Sequence, residues 1–162
     1  MPDDLYDRDI LAWSRQQADL LRRTGRGERV NHVDWDNVAE EIEGAGLSEL
    51  HAVESDLNLI MVHVLELQAW PDRSAGDHWH GEIAAFQGNA RRRFTASMRQ
   101  RIDLDTLFVD ALRQVRKASR GRGTPMPWPD RNPFPLDDLP QADSNDLPTQ
   151  AQAAAPRPDS PP

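Results

Sequence analysis

Residues 47–69 read LSELHAVESDLNLIMVHVLELQA, and their spacing decides the fold class. Leu50, Val53, Leu57, Ile60, Met61, Val64 and Leu65 recur every three or four positions, the period of one helix face. Leu59, Val62 and Leu67 widen that stripe to nearly the full circumference. A helix apolar almost all round belongs at the centre of its domain. It ends at Trp70-Pro71, because proline turns the residue before it away from helical geometry. The apolar run 57–67 is broken by Asn58, His63 and Glu66 and is about half a membrane span, so no membrane association is expected.

Working outward, Tyr6, Ile10, Trp13, Gln17 and Leu20 mark a first helix, with Asp3, Asp4 and Asp7 where carboxylates suit the helix dipole. Gly25 and Gly27 end it. Asp34 is a natural N-cap for a short second helix to about Glu43, with Trp35, Val38, Ala39 and Ile42 on its packed face. Gly44 and Gly46 separate it from the central helix. Asp77 can cap a fourth helix carrying Trp79, Ile83, Phe86, Ala90 and Phe94, although Gly81 and Gly88 each cost about 1 kcal/mol inside it. Asp103 can cap a fifth, with Leu104, Leu107, Phe108, Ala111, Leu112 and Val115 on one face, ending before Gly121 and Gly123. No stretch alternates as a strand does. The expected fold is therefore an all-α bundle of about five helices. From Thr124 the five prolines 125, 127, 129, 133 and 135 forbid a helix. Met126, Trp128, Phe134, Leu136 and Leu139 would pin residues 124–140 to the bundle as an extended strap. Residues 141–162 hold few apolar anchors and are expected to be a disordered Pro/Ala-rich tail, leaving 1–140 as the domain.

The chain has no cysteine, which excludes disulfides, thiolate metal sites and thiol nucleophiles. Its acidic opening lacks the basic and apolar regions of a secretory signal, and a cytoplasmic location is expected. Lys117 is the only lysine among nineteen basic residues, a bias typical of GC-rich bacterial genomes. The net charge of −8 is unevenly spread. Residues 1–90 hold 18 acidic side chains and seven arginines, whereas residues 91–122 hold ten basic and three acidic ones. Such asymmetry points to nucleic acid or an acidic protein as a partner, or to arginines that balance the chain's own acidic helices.

Four stretches resemble a widespread, mainly bacterial family, domain of unknown function twenty-nine. They are Asp4-Leu5-Tyr6 with Ala12-Trp13 and Gln16-Gln17-Ala18-Asp19-Leu20-Leu21; residues 34–46 with Ala39-Glu40-Glu41-Ile42-Glu43; residues 59–65; and Asn132-Pro133-Phe134-Pro135-Leu136-Asp137-Asp138-Leu139. The resemblance spans residues 3–140 and implies an α-helical fold without an assigned activity. The chain departs from the family pattern at Glu66 and Leu67, where a basic and an aromatic residue are usual, and in its longer tail.

His63 is the most informative single residue, since an unpaired imidazole in a buried helix is costly. One reading makes it a ligand or general base with Glu41 or Glu43 of the second helix, and Glu40 more solvated. The other makes it a core histidine latched by one carboxylate. A metal site needs three or four convergent ligands. His51 and His63 lie about 18 Å apart along one helix, and His78 and His80 point about 200° apart, so neither pair can share an ion. No metal and no cofactor is expected. The serines sit in no nucleophile elbow, and Ser48 reads as a helix cap. Arg91, Arg92, Arg93, Arg99, Arg101, Arg113, Arg116, Lys117, Arg120 and Arg122 form the basic patch, with Arg91, Arg92, Arg93, Arg116 and Lys117 as candidate phosphate contacts.

The leading expectation is a non-enzymatic cytoplasmic domain acting on a protein partner, with Trp70, Trp79 and Trp128 as exposed contact points. Nucleic-acid binding through the arginine-rich fourth and fifth helices stands second. A metal-dependent hydrolase built on His63, Glu41 and Glu43 stands third.

Overall fold

Asp103 caps its helix as its position promises, and Asp9 does the same for a helix start that the spacing did not mark. The Asp9 carboxylate accepts a hydrogen bond from the Ala12 amide at 2.9 Å, and that of Asp103 accepts one from the Thr106 amide at 3.0 Å. Each satisfies a donor that a helix start leaves without an internal partner. The computed structural model describes residues 5–71 and 76–157. Among them the chain forms seven helices and no strand: α1 Leu5–Arg8, α2 Ile10–Gly25, α3 Trp35–Ala69, α4 Gly76–Arg93, α5 Ala96–Arg99, α6 Leu104–Ala118 and α7 Asp146–Ala154. The all-α reading holds. Two compact units divide the chain, the first ending at Ser48 and the second beginning at Glu49.

The first unit holds α1, α2 and the opening turns of α3. The expected first helix is two, broken at Asp9. Tyr6 donates its phenol to Glu41 at 2.7 Å and meets the Trp13 ring edge-on at 4.8 Å. Of the described apolar residues here, only Trp13 and Val38 are buried. The expected packed face of the second helix is thus corrected. Val38 is covered, but Trp35 is 59% and Ile42 67% exposed.

A second correction concerns Gly44 and Gly46. They do not interrupt anything: α3 runs through them as one helix of 35 residues. Glycine weakens a helix by roughly 1 kcal/mol but keeps its N–H and so leaves the hydrogen-bond ladder intact. A β-carbon at either position would meet nothing within 4 Å.

The second unit packs around the later part of α3. Val53, Leu57, Ile60, Met61, Val64 and Leu65 are fully buried, as the near-continuous apolar surface requires. Trp79 and Ile83 of α4 and Phe108, Ala111, Leu112 and Val115 of α6 complete this core. The strap is present and held by backbone-directed bonds. The Trp128 indole donates to the Leu65 carbonyl at 3.1 Å, and the Gln68 amide to the Pro127 carbonyl at 2.7 Å. Gln87 donates to the carbonyls of Leu139 and Ala142, both at 2.9 Å. Asp77 lies in the first turn of α4 rather than before it.

The disordered-tail expectation is overturned for residues 146–154, which form α7. Leu147 and Ala151, four apart and so on one face, are fully buried in the same core. The Gln152 side chain accepts a bond from Gln68 at 3.0 Å. Pro148 sits in the first turn, where its missing N–H costs no helical bond. The ordered domain therefore extends past residue 140; residues 158–162 lie outside the described ones.

Two stability measurements follow from these features. Gly44→Ala and Gly46→Ala should each raise the unfolding free energy by about 0.5–1 kcal/mol, read from urea titrations. Leu147→Ala should lower it by about 2–4 kcal/mol; a change within error would mean that α7 is not docked in solution.

Candidate functional site

His63 lies on α3 with its Nδ1 at 3.1 Å from Glu66 Oε2 and its ring stacked on Phe86 at 6.0 Å. Glu66 is 7% exposed, and its other oxygen accepts a bond from Arg122 at 3.1 Å. Burial works to raise the Glu66 carboxyl, but the His63 imidazole and the Arg122 guanidinium outweigh it and hold the group below the ordinary carboxylate range. One buried carboxylate of the second unit is thus clamped by two donors. The partner expected from the second helix is instead three residues away in the same helix, a spacing that was legible as His63-x-x-Glu66.

Glu41 and Glu43, the proposed co-ligands, belong to the first unit, twenty or more residues before His63 on the same helix α3. The physical reason is the uninterrupted helix: the fold-back that would bring them to His63 needed a turn at Gly44–Gly46. Glu41 is engaged by Tyr6, whose own ionisation is pushed up to about 12, chiefly by that bond and then by desolvation. Among the described residues, no three His, Asp or Glu side chains are grouped as a metal ion requires.

The contact points expected at Trp70, Trp79 and Trp128 also need correction. Trp70 and Trp79 are buried and Trp128 is half-buried, because each serves the second unit's core. Trp70 meets Trp128 at 6.0 Å. The exposed large apolar side chains are Ile10, Leu11, Trp35, Ile42 and Leu47 in the first unit and Val109 and Met126 in the second.

The first unit also contains a cleft of about 720 Å³ between α2, the 31–34 segment and the start of α3, lined by Leu5, Trp13, Gln16, Leu20, His32 and Trp35 among others. Its floor is a polar knot. Asp34 accepts bonds from the Trp13 indole at 3.1 Å and the Asn37 amide at 2.8 Å, and its own backbone N–H donates to Gln17 at 2.9 Å. The Asn37 amide first, against partial desolvation, and then the Trp13 indole keep the Asp34 carboxyl below its usual value. His32 holds a left-handed backbone (φ 71°) at the cleft wall, a conformation that costs a side-chain-bearing residue energy. Nothing in the sequence spacing announced this cleft, since its walls come from three separate segments.

The basic patch divides. Arg91 is tied to the Pro140 carbonyl, Arg92 to Asn89, Arg99 to Asp137, Arg113 to Asp110 and Arg122 to Glu66. The side chains of Arg93, Arg116, Lys117 and Arg120 are exposed and form no ion pair or hydrogen bond with a described residue. Arg113, Arg116, Lys117 and Arg120 line a shallow groove of about 560 Å³ with Val109, Leu112 and Asp130.

Fold and site together define an all-helical protein in which no helix among the described residues is long and apolar enough to cross a membrane. The family model described as domain of unknown function DUF29 matches residues 5–143, and the chain belongs to that family. An alpha-helical protein of unknown function from Rhodospirillum rubrum, known from its crystal structure, is 26% identical, with a TM-score of 0.69 over 95% of this chain and 99% of that one. No curated protein matches the chain.

The Glu66 clamp makes a pH prediction. Because the folded carboxyl titrates below its unfolded value, its stabilisation is complete above the unfolded pKa and lost as pH falls through the folded one. Glu66→Gln should lower stability at pH 7 by about 1–3 kcal/mol. Its gap from wild type in thermal melts should narrow below about pH 4.5; a gap independent of pH would refute the assignment.

Proposed function

We propose that this chain is a non-enzymatic, cytoplasmic protein-interaction domain whose partner docks on the first unit, over the Trp35–Ile42 face of α3 and the adjoining cleft. The observation that carries this reading is the exposure of Trp35 and Ile42 at 59% and 67%. They are seven residues apart and therefore on one helix face, with exposed Ala39 between them. Ile10 and Leu11 of α2 add 48% and 59% exposed apolar side chains in the same unit. A single exposed leucine needs no explanation, but several large apolar side chains in a unit with so few buried ones favour a surface completed by another protein. Tryptophan is also the residue type most enriched at energetic centres of interfaces. The pairings the hydrolase reading needs are not made: His63 is bonded to Glu66, and Glu41 to Tyr6.

The test is capture from a bacterial lysate by the immobilised full chain, followed by titration of the purified captured protein against wild type and Trp35→Ala/Ile42→Ser. The double substitution should weaken binding by about 30-fold or more with unchanged helicity by circular dichroism. Equal binding by the two chains would overturn the proposal.

A further inference from the structure

Two helices of this chain carry exposed rows of opposite charge in the same register. On α3 the row is Asp36, Glu40, Glu43 and Leu47, spaced four, three and four residues. On α6 and its continuation it is Val109, Arg113, Arg116 and Arg120, again spaced four, three and four. Positions at i, i+4, i+7 and i+11 lie along one helix face. Ser119 keeps right-handed helical backbone (φ −77°, ψ −10°), so Arg120 continues the α6 row. All eight residues are exposed, and Leu47 and Val109 are 40% and 53% exposed apolar side chains. Asp36, Glu40 and Glu43 form no ion pair or hydrogen bond with a described residue through their side chains, nor do Arg116 and Arg120.

Laid antiparallel, the rows match at every step: Asp36 with Arg120, Glu40 with Arg116, Glu43 with Arg113, and Leu47 with Val109. The same arrangement sets the N-terminus of α3 beside the C-terminal end of α6, so the opposed helix dipoles attract. Dipoles alone explain an acid in the first turn of α3 and cations in the last turn of α6. Their influence fades within one turn, and so they leave Glu40, Glu43, Arg113 and the two exposed aliphatic residues without a reason.

We propose that the basic groove of α6 docks the acidic opening of α3 from a second copy of this chain, through these antiparallel rows. A second copy fits better than a nucleic acid. The groove presents no aromatic ring for a base to stack on, it contains the Asp130 carboxylate and the apolar Val109, and the whole chain carries −8. The contact uses a face of α3 about 100° around from Trp35 and Ile42, so it stands apart from the partner surface proposed above. Exposed pairs are individually weak and salt-sensitive, and the resulting association is reversible.

Charge reversal tests it. The full chain is prepared as wild type, as Glu40→Arg/Glu43→Arg, and as Arg113→Glu/Arg116→Glu, and weight-average mass is followed by sedimentation equilibrium. In about 0.1 M salt wild type should exceed the monomer mass and return to it near 1 M, where the screening length shrinks to about 3 Å. Each reversed variant alone should be monomeric, and their equimolar mixture should associate again, because every row then faces its opposite. Neutral versions, Glu40→Gln/Glu43→Gln and Arg113→Gln/Arg116→Gln, should be monomeric alone and mixed, and they replace the reversed pair if it loses helicity. Monomeric wild type at low salt, association that survives both reversals, or a reversed mixture that stays monomeric would each overturn the proposal. Binding of a single-stranded oligonucleotide by monomeric wild type, lost in the Arg113→Glu/Arg116→Glu variant, would overturn it in favour of nucleic acid.

Discussion

The second unit depends on the burial of one helix. From Val53 to Leu65, α3 carries six fully buried aliphatic and thioether side chains, and each contributes about 1.5–3 kcal/mol by leaving water. At about 100° per residue those six span an arc of about 140°, wider than one neighbouring helix can shelter. α4, α6, the proline strap and α7 all contribute to the cluster that encloses them. The strap cannot form a regular ladder because its prolines lack donors. It is held instead by side-chain amides and an indole that reach backbone carbonyls, as Gln68, Gln87 and Trp128 do. Buried carbonyls need such donors, and an extended segment that lacked them would leave its polar groups unsatisfied.

The first unit obeys a different constraint. Its helices meet through polar knots: Tyr6 with Glu41, and Trp13 and Gln17 with Asp34. Bonds of this kind fix orientation but add little net stability, typically about 1 kcal/mol each. With few apolar side chains buried, this unit leaves Trp35 and Ile42 in water. That combination of defined geometry and uncovered apolar surface is why a partner surface is sought here and not among the buried tryptophans of the second unit.

The same contrast explains the two kinds of charged site. Glu66 is buried, and a buried carboxylate demands compensation, which His63 and Arg122 supply. The cations of α6 are exposed and need none. Their exposure leaves them available to an acidic surface without any cost to folding.

Side-chain spacing determined the all-α class, the central place of residues 50–65 and the cap at Asp103, while the family resemblance rested on the residues of four stretches and not on periodicity. These are local or statistical properties, set by side-chain spacing and by the hydrogen bonds that a helix start requires. Only the tertiary structure decided three matters. It carried α3 through Gly44 and Gly46, where a modest propensity penalty does not break the hydrogen-bond ladder. It docked Leu147 and Ala151, whose burial outweighs a tail composition that reads as disordered. And it brought Arg122 to the His63–Glu66 pair while leaving Trp35 outside and Trp79 inside. Which apolar residue is covered depends on what lies opposite it, and a one-dimensional pattern does not hold that information.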